Sequence, residues 1–374
     1  MVHSLEQIVN LCSDVTNNSK EIKKGFLFLA LPGKKFDGRD YISEAIKNGA
    51  SAIIYEKKGY KFINQIMIPH LGIENLHIQQ ARIIRSFFTN PSKYLKIIGI
   101  TGTNGKTSVA GWLSQSLNFL NYKAGMIGTL GYEVAGKKIK TLNTTPDIIS
   151  LSNMLNRAVN EKCEYAVLEV SSHAIKQKRI ENIDFDLKIL TNVSRDHLDY
   201  HKTIKNYQNT KKQFFFNEKR TKAIINIDDL VGREIIDEIE LDNNQYISYA
   251  IDRDADLKVK KIVYKNYKMI FDFVWKEKLY QIKTNTYGKY NIYNLLSVIA
   301  SLLFYEFQIE KIIEAIESLD NISGRNEIVH YDNNGVPQII VDYAHTPDAL
   351  ENILKSLGEI EPDEIILIFG CGGN

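Results

Sequence analysis

The sequence has little cysteine, since only Cys12, Cys163 and Cys371 occur in 374 residues. Thiols that are odd in number and far apart supply neither a disulfide framework nor a cysteine-rich zinc site, and they favour a reducing compartment. The N-terminus also lacks a basic start followed by an apolar run, and no window approaches the roughly 20 apolar residues of a membrane span. We therefore predict a cytoplasmic protein without membrane insertion.

A large excess of one charge is absent as well. The sequence has 47 Lys and Arg against 45 Asp and Glu, and its formal net charge is +2. This near balance gives no reason to expect nucleic acid or an anionic membrane as the main partner. With 44% hydrophobic and 25% charged residues, the composition is that of a soluble globular protein. The function therefore has to be read from local motifs.

The length and the order of patterns predict three α/β domains, because single cores stop growing at about 250–300 residues. The first domain, predicted at 1–94, shows an apolar strand at 25–31, a helix at 41–48 and a strand at 52–55. A turn signal precedes the second domain, predicted at 95–322, in which alternating strands and helices indicate a parallel sheet.

The third domain is predicted at 323–374. It shows a strand at 337–341, a helix at 347–357 and a strand at 364–369, followed by Gly370-Cys371-Gly372-Gly373-Asn374. A helix normally follows such a strand and Gly-rich turn in an open α/β sheet, and about 50 residues is near the lower limit for an independent core. We therefore expect this Rossmann-like domain to be incomplete.

The strongest local signal is an apolar strand that runs through a Gly-rich turn into a helix. The turn reads Thr101-Gly102-Thr103-Asn104-Gly105-Lys106-Thr107-Ser108. Backbone N–H groups of such a turn converge on one anion, so Lys106 is predicted to reach the phosphates of a nucleotide and Thr107 to hold Mg²⁺. Position 100 is Ile where the general pattern has glycine. A tight turn with a solvated lysine is therefore the alternative reading.

The segment 101–107 resembles the GTNGKT loop of the Mur ligases, which are ATP-dependent enzymes that add amino acids to the peptidoglycan precursor. Other blocks follow in that family's order and resemble its members that add the third amino acid. These blocks are residues 143–147 (NTTPD), 169–173 (EVSSH), 191–201 (TNVSRDHLDYH), 324–327 (GRNE), 341–350 (VDYAHTPDAL) and 369–373 (FGCGG). The resemblance covers essentially the whole chain. It implies the three-domain Mur ligase architecture, with a P-loop in the central domain.

The resemblance also implies a reaction. A ligase of this kind adds the third amino acid to UDP-N-acetylmuramoyl-L-alanyl-D-glutamate through an acyl phosphate, with ATP and Mg²⁺ as cofactors. The Gly370-Cys371-Gly372-Gly373 form is more similar to members that add meso-diaminopimelate than to members that add L-lysine. The implied partners are the UDP-linked dipeptide and this amino acid, and we expect a monomer.

Four side chains are implied for catalysis, namely Lys106, Glu169, His197 and Lys211. Related ligases carry a carbamylated lysine at the position of Lys211, and a carbamate is an acid-like metal ligand. The implied metal ligands are thus Thr107, Glu169, His197 and Lys211. Without the resemblance, Lys211 would read as part of a solvated helix face and His197 as a structural histidine.

The remaining implied residues bind the two nucleotides. For ATP they are Gly102, Thr103, Asn104, Gly105, Lys106, Thr107, Ser108, Asn294, Arg325 and Asp342. For the UDP-muramoyl dipeptide they are Ser19, Asn143, Thr144, Thr145, Ser171, Gln177 and Arg179. The family reads Asp-Ser-Arg around Ser19, whereas this chain reads Asn18-Ser19-Lys20, and Lys does not reproduce the planar fork of Arg.

Two alternatives stay open at this point. One is another ligase of the same superfamily, such as a folylpolyglutamate synthetase, although the blocks at 143–147 and 169–173 argue against it. The other is an inactive, truncated protein that binds a nucleotide or the UDP-muramoyl dipeptide. Release of ADP that depends on both the dipeptide and an amino acid separates a ligase from a binding protein.

Overall fold

The computed structural model describes residues 4–33, 36–60, 67–88, 90–134, 136–141, 143–181, 183–216, 222–240, 245–265, 268–330, 337–345, 347–359 and 362–370. The described residues form two compact units. The first unit takes Met1–Tyr94, Pro146–Asn160 and Gln177–Asp184, and the second takes Leu95–Thr145, Glu161–Lys176 and Phe185–Asn374. None of the described helices is long and apolar enough to cross a membrane.

The first unit contains a parallel sheet of β1 to β4 in sequence order. The strands are β1 (Asp14–Thr16), β2 (Phe26–Ala30), β3 (Ala52–Glu56) and β4 (His70–Ile73), and the helices are α1 (Leu5–Asn10), α2 (Ile42–Lys47), α3 (Leu76–Arg85) and α5 (Ile148–Asn160). Leu27 and Leu29 of β2 join one buried cluster, whereas Phe28 and Ala30 join another. Both faces of the sheet are therefore covered, which explains why β2 is a continuous apolar run.

Glu56, at the end of β3, is a buried carboxylate with a capping role, and its side chain is 6% exposed. It accepts hydrogen bonds from the backbone N–H groups of Lys58, Asn75 and Leu76 at 2.9, 3.2 and 2.7 Å. Burial acts to raise the pKa of Glu56, but these N–H groups outweigh burial and hold the pKa below 4.5. The ionised carboxylate thus joins β3 to the start of α3.

The second unit contains an eleven-stranded mixed sheet in the order β15-β14-β13-β12-β11-β10-β5-β9-β6-β7-β8. The strands are β5 (Lys96–Thr101), β6 (Ala124–Gly128), β7 (Gly131–Val134), β8 (Lys137–Ile139), β9 (Tyr165–Glu169), β10 (Leu187–Leu190), β11 (Lys222–Asn226), β12 (Gln245–Ala250), β13 (Leu257–Lys265), β14 (Lys268–Trp275) and β15 (Lys278–Thr284). In the central part of the sheet, from β13 across to β6 in this order, neighbouring strands pair in parallel, as the alternating pattern predicts. The antiparallel pairs at both edges were not predicted.

Helices cover this sheet and bury its apolar strands. They are α4 (Lys106–Phe119), α6 (Ser172–Lys176), α7 (Leu198–His201), α8 (Ile204–Phe216), α9 (Leu230–Glu240), α10 (Lys289–Phe304) and α11 (Ile309–Glu317). Ile98 of β5, Leu113 of α4 and Leu295 of α10 share one fully buried cluster. Each such side chain contributes about 1.5–3 kcal/mol by burial, so the cluster fixes the end of β5 from which the candidate site is built.

The last part of the second unit departs from the prediction in one element. Strands β16 (Glu327–His330) and β17 (Ile339–Val341) form an antiparallel pair, and α12 (Pro347–Gly358) follows as predicted. The strand predicted at 364–369 is wrong, because the described segment 362–370 contains no strand and Ile366, Ile368 and Phe369 are 76, 92 and 71% exposed. An apolar run becomes a strand only when a neighbour accepts its backbone hydrogen bonds. Among the described residues, β17 pairs with β16 alone.

Candidate active site

The site begins where β5 ends and α4 starts. Between them the backbone turns through Gly102 and Gly105, whose φ angles are 151° and 87°. A side chain at Gly102 would overlap the hydroxyl of Thr191, and one at Gly105 would overlap the amide oxygen of Asn294. Both positions therefore need glycine because of close neighbours and, at Gly105, because of a left-handed backbone.

The loop after β10 holds this turn in place. The Asn192 carbonyl accepts from the Thr103 N–H at 2.7 Å, and the Asn192 side-chain oxygen accepts from the Asn104 N–H at 3.0 Å. Thr191 donates from its hydroxyl to the Asn104 carbonyl at 2.6 Å. The Thr103 hydroxyl also lies 3.0 Å from the hydroxyl of Tyr207 on α8. Hydrogen bonds to the loop after β10 and a contact with α8 thus hold this turn in one conformation.

Lys106 folds back over the loop that precedes it. Its Nζ donates to the carbonyls of Gly102 and Thr103, both at 2.8 Å. Burial lowers the pKa of Lys106, while the charge of Glu169 opposes this shift. The ammonium group therefore lies within the curve of the turn, where a phosphate would be bound, and is not the solvated lysine of the alternative reading.

Thr107 and Glu169 form the next pair of the site. The Thr107 hydroxyl donates to Glu169 Oε2 at 3.0 Å, and Nη2 of Arg325 donates to Thr107 Oγ1 at 3.4 Å. The Arg325 guanidinium also lies 4.3 Å from the ring centroid of Tyr343. Glu169 is fully buried, and this burial raises its pKa, although the charge of Lys106 opposes the shift. One hydroxyl, one carboxylate and two cations therefore converge at this end of the sheet.

The oxygens of Thr107 and Glu169 fit a magnesium ion. In the described part of the chain, no group of three or more His, Cys, Asp or Glu side chains is arranged as a metal site. Mg²⁺ is usually bound through one or two protein oxygens together with waters and substrate phosphates, so a hydroxyl and carboxylate beside a phosphate loop are sufficient. The donor set is thus compatible with a Mg²⁺ ion that is shared with bound phosphates.

Lys211 lies on α8 beneath the phosphate loop and is 1% exposed. Its Nζ donates to the Gly102 carbonyl at 2.7 Å and lies 4.8 Å from the ring centroid of Tyr207. The pKa of Lys211 is well below 10.5, first because of burial and second because of the nearby charge of Lys106. This burial excludes the solvated helix face for Lys211.

His197 lies on the loop between β10 and α7, in a left-handed conformation with φ 52°. Its Nε2 is 3.4 Å from Asp196 Oδ2, and its ring centroid is 4.9 Å from that of His173. Burial lowers the pKa of His197, while Asp196 acts in the opposite direction. A neutral imidazole is the form that binds metals. The structure places His197 beside Asp196 and His173.

Several residues implied for the dipeptide lie on the second unit close to Glu169. The Thr145 hydroxyl donates to the Glu169 carbonyl at 2.8 Å and accepts from the Ser171 N–H at 3.0 Å. Thr144 Oγ1 is 3.1 Å from Thr129 Oγ1, and Asn143 is exposed. Thr145 and Ser171 therefore lie at the same end of β9 that carries the carboxylate.

The other residues implied for the dipeptide belong to the first unit. Ser19 is 6% exposed, and its hydroxyl donates to Glu44 Oε2 at 2.7 Å. Arg179 donates from Nη2 to Gln177 Oε1 at 2.6 Å. Gln177 and Arg179 are thus in direct contact, whereas the Ser19 hydroxyl donates to a carboxylate whose proximity no local pattern in the sequence indicates.

A cavity of about 320 Å³ opens beside the phosphate loop. It is lined by Asn104, Gly105, Asn192, Val193, Ser194, Asn226, Asp228, Asp229, Lys289, Tyr290, Tyr293, Asn294 and Asn352. Of the residues implied for ATP, Asn104, Gly105 and Asn294 line this cavity. Asp342 accepts from the backbone N–H groups of Asn326 and Ala344 at 2.6 and 2.7 Å. Ser108 is buried in the first turn of α4.

Sequence reasoning missed Asn192, Asp228 and Tyr293 as parts of this cavity. A signal for Asp228 existed, since Asp228 and Asp229 lie two and three residues after the buried strand β11 and the carboxyl ends of parallel strands form one edge. Tyr293 donates to Asp228 Oδ2 at 2.7 Å across 65 residues of sequence, and no local pattern reports such a contact.

Comparison with known proteins assigns a family to each part of the chain. Residues 13–98 match the catalytic domain of the Mur ligase family, residues 100–302 match the Mur ligase middle domain, and residues 324–374 match the Mur ligase glutamate ligase domain.

Two relatives illustrate the similarity along the chain. The UDP-N-acetylmuramoyl-L-alanyl-D-glutamate--2,6-diaminopimelate ligase of Coxiella burnetii is 37% identical over 371 residues, which are 97% of this chain and 75% of that protein. The enzyme of the same name from Clostridium botulinum is 37% identical over 359 residues, which are 96% of this chain and 73% of that protein.

Solved structures show the same fold. A UDP-N-acetylmuramoyl-L-alanyl-D-glutamate--2,6-diaminopimelate ligase has a TM-score of 0.80 at 25% identity, with 100% of this chain and 78% of that chain covered. The MurF ligase of Thermotoga maritima in complex with ADP has a TM-score of 0.71 at 21% identity, with 93% and 75% covered. The second similarity concerns the fold alone.

Proposed function

This chain belongs to the Mur ligase family, as its motifs predicted, and on that premise we propose that it is an ATP-dependent, ADP-forming ligase. It adds meso-diaminopimelate, as the third amino acid, to UDP-N-acetylmuramoyl-L-alanyl-D-glutamate in peptidoglycan precursor synthesis. Relatives named for this reaction are 37% identical over nearly the whole chain. This similarity favours diaminopimelate over lysine and disfavours both a folylpolyglutamate synthetase and an inactive binding protein.

The observation that carries the proposal is the convergence of charges at the end of β5. Lys106 and Arg325 bring two cations to a glycine-rich loop, and Thr107 joins that loop to the buried Glu169. Charge on a transferring phosphoryl group is stabilised by groups of this kind when they are fixed before the reaction. We assign the ATP phosphates to the loop and the nucleoside to the 320 Å³ cavity.

The proposed reaction has two steps. First, an oxygen of the dipeptide's terminal carboxylate bonds to the γ-phosphorus of ATP, while the bond from that phosphorus to the β,γ-bridging oxygen breaks and ADP leaves. Second, the amine of diaminopimelate attacks the acyl carbon, the bond from that carbon to the phosphate oxygen breaks, and the amine loses a proton as phosphate leaves. Lys106 and Arg325 stabilise the negative charge during the first step.

Mg²⁺, when bound, supplies further positive charge at the phosphates. We assign Thr107 and Glu169 as its ligands, together with His197 and a carbamylated Lys211. Burial lowers the pKa of Lys211, and this supports carbamylation, because only the unprotonated nitrogen bonds to the carbon of CO₂, after which it releases a proton.

The remaining assignments complete the proposal. We assign the dipeptide to Ser19, Asn143, Thr144, Thr145, Ser171, Gln177 and Arg179, and Asp342 to the ATP site. The functional domains are taken as 1–94, which binds the UDP moiety, 95–322, which binds ATP, and 323–374, which belongs to the amino-acid-binding domain. We further propose that the enzyme acts in the cytoplasm as a monomer.

Release of ADP tests this function. We expect release only when ATP, Mg²⁺, UDP-N-acetylmuramoyl-L-alanyl-D-glutamate and meso-diaminopimelate are all present, and little release with L-lysine. Lys106→Ala should abolish turnover, since it removes the cation within the loop. Lys311→Ala is the matched control, because Lys311 is an exposed lysine of the same unit that contacts Glu314. Near-normal turnover in Lys106→Ala would contradict the phosphate-loop assignment.

A further inference from the structure

Thr129 supplies two of the hydrogen bonds that hold the carboxylate of Glu169. The backbone N–H of Thr129 donates to Oε1 at 2.8 Å, and its hydroxyl donates to Oε2 at 3.0 Å. Thr107 donates to the same Oε2 at 3.0 Å. Both carboxylate oxygens are therefore engaged, and Thr129 contacts both of them.

The backbone around Thr129 is built for this contact. Thr129 lies in the tight turn between β6 and β7, directly after Gly128. A side chain at Gly128 would overlap the carboxylate of Glu169, so glycine lets this backbone approach the acid closely. Gly131, at the other end of the turn, has a φ of 109° and closes it. The turn thus carries the amide of Thr129 to the end of β9.

The hydroxyl of Thr129 also contacts a neighbouring threonine. Oγ1 of Thr129 lies 3.1 Å from Oγ1 of Thr144, and each hydroxyl has a single proton to donate. When the Thr129 proton points to Glu169, Thr129 accepts the proton of Thr144. The contacts therefore run from Thr144, in the segment assigned to the dipeptide, through Thr129 to the acid assigned to Mg²⁺.

We propose that Thr129 is a positioning residue, which aims the Glu169 carboxylate at the Mg²⁺ of bound ATP and connects that carboxylate to Thr144. The inference rests on the proposed function only in placing ATP and Mg²⁺ at the phosphate loop. Thr129 is itself exposed, so its replacement leaves the buried core of the sheet intact. Its effect should therefore appear in Mg²⁺-dependent ATP binding rather than in folding.

The experiment measures the Kd of ATP by calorimetry, with and without Mg²⁺, in the whole chain. Thr129→Val keeps the backbone donor and the side-chain shape but loses the hydroxyl. A hydrogen bond to a charged group corresponds to about tenfold or more in affinity, so we expect Thr129→Val to reduce the gain in ATP affinity from Mg²⁺ by about tenfold. Thr129→Ser, which keeps the hydroxyl, should retain the gain of the parent.

Thr141→Val is the matched control. Its hydroxyl donates to the Gly128 carbonyl at 3.1 Å, so the variant loses a threonine hydrogen bond at the same turn without touching Glu169. The inference is overturned if Thr129→Val keeps the full gain, or if Thr129→Ser or Thr141→Val loses as much as Thr129→Val. It is also overturned if the parent binds ATP equally well with and without Mg²⁺.

The experiment also distinguishes a loss of stability in Thr129→Val from a failure of the proposed function. If ligand-free Thr129→Val melts well below Thr141→Val, Thr129→Ala is measured in its place, since alanine adds no bulk and keeps the backbone donor. If the parent binds ATP with Mg²⁺ but releases no ADP with the dipeptide and diaminopimelate, the proposed function fails. The binding comparison still decides the role of Thr129 in that case.

Discussion

Removal of the Lys211 side chain tests the part of the site that lies beneath the phosphate loop. The Nζ of Lys211 is buried beneath the loop and donates to the Gly102 carbonyl at 2.7 Å. Lys211→Ala deletes Cγ, Cδ, Cε and Nζ, and with them any carbamate on Nζ. With the proposed carbamate, the variant loses an anionic group beside the phosphate loop and gains an empty space where the side chain lay.

The expected loss of activity follows from what the group does. Removing one preorganised electrostatic group from an active site costs about 100- to 1,000-fold in kcat, and we expect a loss in this range for Lys211→Ala. Formate or acetate should restore part of the activity in a concentration-dependent way. A small carboxylate fits into the space left by the side chain and returns the missing negative charge.

The assay is ADP release at saturating dipeptide, diaminopimelate and ATP, over a series of acetate concentrations. Lys212→Ala is the matched control, because Lys212 is the next residue of α8 and pairs with Glu234 and Glu238 at 3.2 and 2.6 Å. Loss of these surface pairs costs about 0–1 kcal/mol of stability and should leave kcat unchanged. Parent activity in Lys211→Ala, or a folded but inactive variant that no carboxylate rescues, would refute the reasoning.

Two further predictions concern the loop and the first unit. Gly105→Ala should weaken ATP binding and lower the free energy of unfolding by about 1–2 kcal/mol or more, because a side chain there clashes with Asn294 and is also strained in a left-handed backbone. Gly136→Ala is the control. Gly136 has a φ of 74° and open space around it, so this variant should show the effect of backbone strain alone. Calorimetry and urea denaturation distinguish the two variants. Glu56→Gln should lower the free energy of unfolding at pH 7 by about 1–3 kcal/mol. Folding lowers the pKa of Glu56, so the ionised carboxylate contributes its full stabilisation above pH 4.5. This stabilisation disappears as the pH falls through the pKa of Glu56 in the folded protein. The free energies of unfolding of parent and variant, measured by urea denaturation, should therefore converge in acid.

Elements whose signal is contiguous could be predicted from the sequence. The strand predicted at 25–31 forms as Phe26–Ala30, and the helix predicted at 347–357 forms as Pro347–Gly358. The strand predicted at 364–369 does not form among the described residues, although its apolar run is as strong. The difference lies in the neighbours. Strand β2 has β1 and β3 beside it, whereas nothing in residues 364–369 specifies a partner.

The phosphate loop could be predicted from the sequence because its residues are adjacent in the chain. Two glycines that allow a close turn, a lysine and a threonine occur within six residues, and the apolar strand and helix on either side impose their geometry. Each motif block is likewise a contiguous run of residues, and the order of these blocks was enough to identify the family. These features depend on local chemistry, which does not change with the packing of distant segments.

The environment of each side chain depends on the fold. Lys211 reads locally as a solvated residue, yet packing of α8 under the loop buries it and brings its Nζ to the Gly102 carbonyl, 109 residues away in sequence. Thr129 carries no local signal, and it meets Glu169 because β6 and β9 are parallel neighbours whose carboxyl ends lie at one edge of the sheet. Contacts between residues so far apart arise from strand order, and strand order is a property of the whole sheet rather than of any segment within it.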